Sequence, residues 1–287
     1  MALTYLLARF ADTITDSGKW TVPERIAHLE AWENAILRKD PSLWILKGTL
    51  GSFKESEAHL LLEGSKLISA YKELDSNDQL HSDELLKTLV SGMKWDLKTY
   101  ANASVASPTY GCRDAQAFDW YCYTIAGCVG PYWVRVFGLP SSLEALAGEY
   151  GKGLQRINIL RDVVEDWNRG RVYLSEKDLS SAGSESQPWK KQGWSTFMKS
   201  YLEESRMKLR HGAHFCDAIP KSQWRLRWAS MMPLLIGIET LNTIEREKRF
   251  SDKPMKISRK QVKRLAWKAL TTVVLRRSIS KRAELRV

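Results

Sequence analysis

Two segments of this 287-residue sequence carry pairs of aspartates at a spacing that could hold a divalent metal ion. The first segment contains Asp12 and Asp16, and the second contains Asp162 and Asp166. Residues four apart lie one above the other on an α-helix, so each pair would present two carboxylates to one side. Mg²⁺ prefers oxygen ligands of this kind and completes its shell with water and substrate phosphate. The pattern therefore indicates chemistry on a phosphorylated substrate.

Each aspartate pair belongs to a longer polar stripe. The two stripes consist of Tyr5, Arg9, Asp12 and Asp16, and of Gln155, Asn158, Asp162 and Asp166. The residues between them are largely apolar, which predicts that both helices lie in the protein interior. A buried polar stripe is costly unless it is paired or bound to metal. We therefore expect the two helices to face each other across one cavity and to hold a Mg²⁺–diphosphate cluster, with Arg9, Arg161 and Arg171 neutralising the remaining charge.

A single D-x-x-x-D pattern is weak support for a metal site, because such pairs are common on solvated helix faces. Two copies, each on an apolar helix and each close to an arginine, favour the metal interpretation. A histidine-based metal site is not expected, since the five histidines are scattered and His211 and His214 lack a surrounding HExxH motif.

Almost every segment of the chain has helical periodicity. Capping boxes predict three helix starts, at 21–24, 141–144 and 258–261, and the first two of these helices would run to Leu37 and to about Asn168. Further amphipathic stretches occupy 55–74, 83–100, 114–137, 194–216 and 221–249.

The segments lack the period-2 alternation of strands, so the predicted class is all-α. The polar stretch 175–193 is expected to be a surface loop. Pro131 is expected to kink a helix just after Gly130. Because no linker or repeat is recognisable, we predict one helical domain covering residues 1–287.

The net charge of +11 is concentrated at the end of the chain. Residues 253–287 hold 12 Lys or Arg residues and one acid, so the preceding 252 residues balance to zero. A basic tail indicates an anionic partner such as lipid headgroups. No recognised nucleic-acid motif accompanies it, and no nucleic-acid partner is expected.

The basic tail 253–287 also contains a predicted amphipathic helix, from Ser258 to about Lys281. Its apolar stripe consists of Val262, Leu265, Ala266, Ala269 and Val273. Two interpretations are open: the stripe docks on an anionic membrane, or it packs on the core of the protein itself.

The sequence also bears on the compartment. The four cysteines are too sparse for a disulfide framework, the N-terminus lacks a signal-peptide pattern, and no apolar run of about 18 residues is present. We therefore expect a cytoplasmic protein with reduced cysteines, whose contact with membrane would be peripheral.

Three segments resemble signatures of the squalene/phytoene synthase family. The segment 5–16 reads YxxxRxxDxxxD, the segment 121–130 (YCYTIAGCVG) resembles the YCxxVAGxVG signature, and 154–174 (LQRINILRDVVEDWNRGRVYL) resembles the second aspartate-rich signature. They occur in the order typical of the family. The resemblance implies an isoprenoid-synthase-type helical fold with a central cavity and a Mg²⁺-dependent, head-to-head joining of two prenyl diphosphates.

The resemblance also implies roles for individual residues. Mg²⁺ would be bound by Asp12, Asp16, Asn158, Asp162 and Asp166. The substrate would be contacted by Tyr5, Arg9, Gln155, Arg161, Arg171 and Tyr173. Tyr121 would handle the proton lost as the cyclopropane of presqualene diphosphate closes. Gly127 and Gly130 would permit close approach, either of prenyl chains or of a neighbouring helix.

The product is less well defined by the resemblance. The segment 8–16 (ARFADTITD) resembles squalene synthases more than phytoene synthases. This favours farnesyl diphosphate as substrate and squalene as product over geranylgeranyl diphosphate and phytoene. Dehydrosqualene is a further alternative product. Squalene would require a hydride from NADPH, and 253–260 resembles the basic flap that squalene synthases place over that cofactor.

One departure from the family supports a different class of function. Family members usually carry a helix before the first motif, which here begins at Tyr5, so that helix is expected to be missing. The alternative function is therefore a non-catalytic helical scaffold that binds lipid or a partner.

Overall fold

The computed structural model describes residues 1–17, 20–46, 50, 53–181, 187–190, 193–247, 256–275 and 277–280. These residues are predominantly helical, which confirms the all-α prediction. Contacts divide the chain into two compact units, Met1–Ala101 and Asn102–Val287. The single domain expected for 1–287 stays a prediction, and each unit is described by itself.

The described residues of the first unit form α1 (Ala2–Thr15), α2 (Val22–Leu37), α3 (Glu55–Leu62), α4 (Gly64–Lys72) and α5 (Ser76–Thr99). The predicted capping box at Thr21 and Glu24 is confirmed, since each side chain accepts a hydrogen bond from the other residue's backbone N–H. The predicted stretch 55–74 is two helices, because α3 ends at Leu62 and α4 begins two residues later.

An aromatic cluster holds α1 against its neighbours. The ring of Phe10 stacks on Trp32 with centroids 3.7 Å apart and meets Trp44 edge-on at 5.0 Å. Trp32 also donates its Nε1–H to the backbone oxygen of Leu7 at 3.2 Å. Such packing fixes both the position and the rotation of α1, and therefore the direction in which its polar stripe points.

The described helices of the second unit are α6 (Ala115–Cys122), α7 (Val129–Val136), α8 (Glu144–Trp167), α9 (Glu176–Ser181), α10 (Trp194–Ala218), α11 (Trp224–Glu247) and α12 (Arg259–Val274). The long helix α8 packs against α7, α10 and α11 and so occupies the middle of this unit. Of its described helices, none is both long and apolar enough to cross a bilayer, and the same holds for the described helices of the first unit.

Two predictions for segments of the second unit need correction. The capping box at Ser141 and Glu144 does not form, because 141–143 make a short 3₁₀ turn and α8 begins without a side-chain cap. The stretch 175–193 is not simply a surface loop. Its described residues include α9 and a second 3₁₀ turn at Pro188–Lys190, and Leu179 is completely buried.

The chain also contains a short pair of parallel strands that period-2 patterning did not reveal. β1 (Thr109–Tyr110) pairs with β2 (Arg171–Val172), and each is two residues long, which is too short to show alternation. Gly170 allows the turn between α8 and β2, since its φ is +75° and an added Cβ would lie 2.3 Å from Ser104. The strand pair therefore positions Arg171 directly after the second motif helix.

Pro131 does not kink a continuous helix as predicted. Residues Tyr123–Gly127 wind as one π-helical turn, in which the N–H of Cys128 donates to the oxygen of Tyr123 at 2.8 Å. α7 starts afresh at Val129, so Pro131 lies in its first turn, where a missing N–H leaves no helical hydrogen bond unmade.

The glycines of the central motif serve helix packing. A Cβ added at Gly130 would lie 2.2 Å from the backbone of Ala147, and one at Gly127 would lie 2.8 Å from the side chain of Lys152. The neighbouring helix α8 thus approaches α7 and the π turn more closely than any larger residue would allow. The structure shows the close approach of a neighbouring helix at both glycines, and Gly130 also lines an apolar cavity, so the interpretation based on prenyl chains stays a prediction for that residue.

This close approach leads to a stability prediction. Gly130→Ala should lower the free energy of unfolding by about 1–3 kcal/mol, because backbone atoms of α8 must move to admit the methyl group. Gly148→Ala is the matched control in the same interface, since its Cβ would meet nothing closer than 3.8 Å. We expect that control to be neutral or to stabilise by about 0.5–1 kcal/mol. Urea unfolding followed by circular dichroism measures both, and equal losses in the two variants would contradict the explanation.

Candidate active site

The first polar stripe lies on the open side of α1. Tyr5 is 66% exposed, and the side chains of Arg9 and Asp12 keep 41% and 42% of their accessible surface. Asp16 is exposed and follows the last residue of the helix. The opposite face of α1 is buried, so the prediction of an interior helix holds for its apolar face and is wrong for its stripe. Arg9 donates from Nη1 to Asp12, which pairs the arginine of the motif with a carboxylate of the same motif.

The second polar stripe is half-buried on α8. Gln155, Asn158, Asp162 and Asp166 all lie on this helix at intermediate exposure. Arg161 donates from Nε to Asp162 Oδ1 at 2.9 Å. This hydrogen bond raises the pKa of Arg161 above its ordinary value, so the guanidinium stays charged. The second motif therefore repeats, within its own unit, the pairing of arginine with aspartate found on α1.

An apolar cavity of about 350 Å³ lies beside the same face of α8. Its lining comes from α7, α8, α10, α11 and the π turn, and includes Trp133, Tyr150, Leu154, Phe215 and Pro233. Asn158 belongs both to this lining and to the polar stripe. Since Gly151, Leu154 and Asn158 recur at helical spacing before Asp162, one helix face changes along its length from apolar lining to amide and carboxylate side chains. Such a surface suits a molecule with a long hydrocarbon chain and a charged head.

Tyr121 is buried on α6, and its ring stacks on Tyr173 with centroids 5.1 Å apart and an interplanar angle of 19°. Arg171 donates from Nη1 to the hydroxyl of Tyr173 at 3.4 Å. Asp166, Arg171 and Tyr173 also line one small pocket together. The structure thus brings Tyr121 into a continuous group with three residues of the second motif segment.

The remaining predicted residues are distributed between the units. Asp12 and Asp16 belong to the first compact unit, whereas Asn158, Asp162 and Asp166 belong to the second. The expectation that the two aspartate pairs face each other across one cavity stays a prediction.

The oxygen ligands present fit Mg²⁺. Two carboxylates and one amide share a half-buried face of α8, and this donor set is one that Mg²⁺ binds together with substrate phosphates and water. Among the described residues, no group of three or more His, Cys, Asp or Glu side chains is arranged to hold a metal ion by itself.

Sequence reasoning missed a charged network behind the motif helix. Lys152 donates to Asp119 at 2.8 Å, and Lys208 donates to Glu149 at 2.5 Å and to Asp119 at 3.4 Å, so α6, α8 and α10 are joined by ion pairs. Burial lowers the pKa of Lys152, but its hydrogen bonds to Asp119 and Glu149 outweigh that effect and the net shift is upward. The only sequence signal was the spacing of Glu149 and Lys152, which fits a helix pair.

A second missed residue is Arg156, which is 5% exposed on α8. Its guanidinium lies over the rings of Tyr201 and Phe118, 4.2 and 5.1 Å from the centroids, and donates to Glu204 at 2.8 Å. These contacts fix the rotation of α8 from the side that packs against α10. Nothing in the local sequence predicts them, because Tyr201 and Glu204 lie 45 and 48 residues later and Phe118 lies earlier, on α6.

The family model described as "Squalene/phytoene synthase" matches residues 1–263 of this chain. Among curated proteins, the chain is similar to the presqualene diphosphate synthase of Zymomonas mobilis, with 31% identity over 187 residues, which are 64% of this chain and 53% of that protein. It is also similar to the chloroplastic phytoene synthase of Daucus carota, with 33% identity over 177 residues, 55% of this chain and 39% of that protein. The chain thus spans about half the length, or less, of these relatives.

The fold is similar to that of solved structures. The structure of TcSQS in complex with the ligand BPH1237 superposes with a TM-score of 0.70 at 20% sequence identity, covering 96% of this chain and 81% of that one. At this level of identity the likeness concerns the fold alone.

Proposed function

This chain belongs to the squalene/phytoene synthase family, and we propose that it joins two farnesyl diphosphates head to head, through presqualene diphosphate, to form squalene. The proposal rests chiefly on the face of α8, where the lining of an apolar cavity continues into Asn158, Asp162 and Asp166. A prenyl diphosphate has the matching division into an apolar chain and a charged head. Relatives named as presqualene diphosphate and phytoene synthases support the same class of substrate.

The charged head of the substrate would be bound by the two polar stripes. We propose that Asp12, Asp16, Asn158, Asp162 and Asp166 hold Mg²⁺, which when bound acts as a Lewis acid toward the leaving diphosphate. Arg9, Arg161 and Arg171 would neutralise the phosphate oxygens, and Tyr5, Gln155 and Tyr173 would complete the contacts. Because Arg9 and Arg161 are already paired with aspartates, binding would exchange a carboxylate partner for a phosphate one.

Departure of the first diphosphate, which takes the electron pair of the C–O bond, leaves an allylic cation. The cavity beside α8 would shield this cation from water, and the rings of Trp133, Tyr150 and Phe215 would stabilise it where they present their faces. Tyr121 would accept or relay the proton that is lost as the cyclopropane closes. Its stacking on Tyr173 would hold the hydroxyl in one place for that transfer.

The choice of product is a separate part of the proposal. Conversion of presqualene diphosphate to squalene requires a hydride, for which we propose NADPH. The alternatives are dehydrosqualene, formed without the hydride, and phytoene, formed from geranylgeranyl diphosphate. The segment 253–260, which resembles a basic flap over the cofactor, lies partly outside the described residues.

Radiolabelled farnesyl or geranylgeranyl diphosphate, incubated with the chain and Mg²⁺ with and without NADPH, tests the proposal. We expect release of diphosphate from farnesyl diphosphate and an NADPH-dependent C30 hydrocarbon. A C30 product that ignores NADPH would select dehydrosqualene, and a C40 product from the longer substrate would select phytoene. If neither substrate releases diphosphate, the non-catalytic scaffold would be the better interpretation.

A further inference from the structure

The C-terminal helix α12 has one buried and one exposed face. Three residues of the apolar stripe lie on the buried face, since Leu265, Ala269 and Val273 are each no more than 5% exposed and α12 packs on α11. The other two, Val262 and Ala266, are half-buried. Trp228 of α11 donates its Nε1–H to the oxygen of Ala266 at 3.4 Å. Of the two interpretations left open for the stripe, the structure therefore shows the one in which these residues pack on the protein's own core.

The chain beyond α12 is fastened to the same unit. Asp217 at the end of α10 accepts hydrogen bonds from the backbone N–H of Ile279 and of Ser280, both at 2.9 Å, and from the hydroxyl of Ser278 at 2.6 Å. Ile279 itself is 1% exposed. With its apolar face covered and the following residues anchored, α12 presents its other face in a fixed orientation.

That other face combines positive charge with large apolar side chains. Trp267 is 69% exposed and Val274, seven residues later on the same face, is 66% exposed. Lys263 is exposed one turn before Trp267, and Lys260 is exposed two turns before it. The whole of α12 has five Lys or Arg residues and no acid. We call Lys260, Lys263, Trp267 and Val274 the Trp267 face.

We propose that the Trp267 face docks the protein on the surface of an anionic lipid bilayer. Lysines are attracted to anionic headgroups, and a tryptophan ring, apolar with one N–H donor, prefers the boundary between headgroups and acyl chains. The charge is complementary to that surface, since all of the chain's excess of positive charge lies in residues 253–287. The Trp267 face lies on the other side of α12 from the apolar stripe, which is covered by α11.

Cosedimentation of the full chain with sucrose-loaded vesicles tests the proposal. The wild-type chain should bind vesicles of phosphatidylglycerol and phosphatidylcholine. About 0.5 M salt should release it, because the Debye length then falls to a few ångströms and the attraction between lysines and headgroups is screened. Lys260→Gln with Lys263→Gln should reduce partitioning by about 25-fold, at about fivefold for each lysine. Trp267→Ser should reduce it by about tenfold, which corresponds to about 60 Å² of apolar surface removed from water.

Matched controls come from the same unit. Lys199→Gln with Lys221→Gln removes two exposed lysines elsewhere, and Trp224→Ser removes another exposed tryptophan, which is 45% exposed. These controls should bind within twofold of wild type, and all variants should melt like wild type in circular dichroism. Brominated acyl chains should quench wild-type tryptophan fluorescence more than that of Trp267→Ser.

Three results would overturn the proposal. One is equal losses in the Trp267-face variants and their controls. Another is equal wild-type binding to vesicles of phosphatidylcholine alone. The last is binding to transfer RNA with no binding to anionic vesicles, which would assign the surface to nucleic acid. None of these measurements depends on turnover, so they remain interpretable whether or not the proposed reaction is correct.

Discussion

Asp162→Asn should lower kcat with farnesyl diphosphate by about 10³-fold, because a bound metal contributes several kcal/mol to transition-state stabilisation and each 1.36 kcal/mol is about tenfold in rate. The fold should be retained. The side chain is 25% exposed and the substitution also removes repulsion with Asp166 one turn away. Initial rates of diphosphate release, measured over a range of Mg²⁺ concentrations beside a urea unfolding curve, check both parts of this expectation.

Glu165→Gln is the matched control for that variant. Glu165 lies on the same helix and pairs with Arg169 at the surface, at 2.8 Å, so its neutralisation removes a charge without touching the polar stripe. We expect its kcat to stay within about threefold of wild type, since an exposed pair of this kind contributes little. Equal losses in the two variants would mean that Asp162 acts through the general charge of α8. A loss of activity in Asp162→Asn that follows unfolding would likewise count against a role in metal binding.

Tyr121→Phe should separate substrate binding from chemistry. If the hydroxyl handles the proton lost in cyclopropane closure, its removal should slow formation of presqualene diphosphate by about 10²–10⁴-fold. The phenylalanine ring can keep the stacking on Tyr173, so substrate should still bind. Single-turnover experiments without NADPH, in which presqualene diphosphate is quantified directly, measure this step.

Tyr123→Phe provides the comparison for Tyr121→Phe. Tyr123 is 40% exposed at the start of the π turn, two residues from Tyr121. Its substitution removes a phenolic hydroxyl of the same kind from a different position. We expect this variant to form presqualene diphosphate at nearly the wild-type rate. Unchanged formation of the intermediate in Tyr121→Phe would reduce Tyr121 to a residue that only packs against the second motif.

The helices that carry the motifs could be predicted because their signals are local. The i, i+4 spacing placed Asp162 and Asp166 on one helix face, and the capping boxes at 21–24 and 258–261 marked two helix starts correctly. The capping box predicted at 141–144 does not form, because residues 141–143 make a 3₁₀ turn immediately before α8. Local sequence alone could not decide between these two hydrogen-bonding patterns.

Features that depend on distant segments could not be predicted in the same way. The apolar stripe on α12 is compatible with packing on the protein core and with contact with lipid, and the position of α11 shows that it packs on the core. Burial of Leu179 turned part of a Ser-rich stretch into helix α9 for a similar reason. Within the site, Arg156 and Lys208 meet their partners only through the packing of α8 on α10. The types of residue at the site were therefore readable from sequence, whereas the pairs that orient them were not.

The central claim is that the acids of both motifs act on the same Mg²⁺-bound diphosphate. A double-mutant cycle with Asp12→Asn and Asp162→Asn, read out by calorimetric titration of a non-hydrolysable farnesyl diphosphate analogue at saturating Mg²⁺, tests it most directly. The account predicts that the double variant loses less binding free energy than the sum of the two single losses, by at least about 1 kcal/mol. The reason is that the first substitution already removes part of the metal-bound contact that the second would weaken. Losses that add to within about 0.5 kcal/mol would show that the two motifs act independently and would contradict the claim.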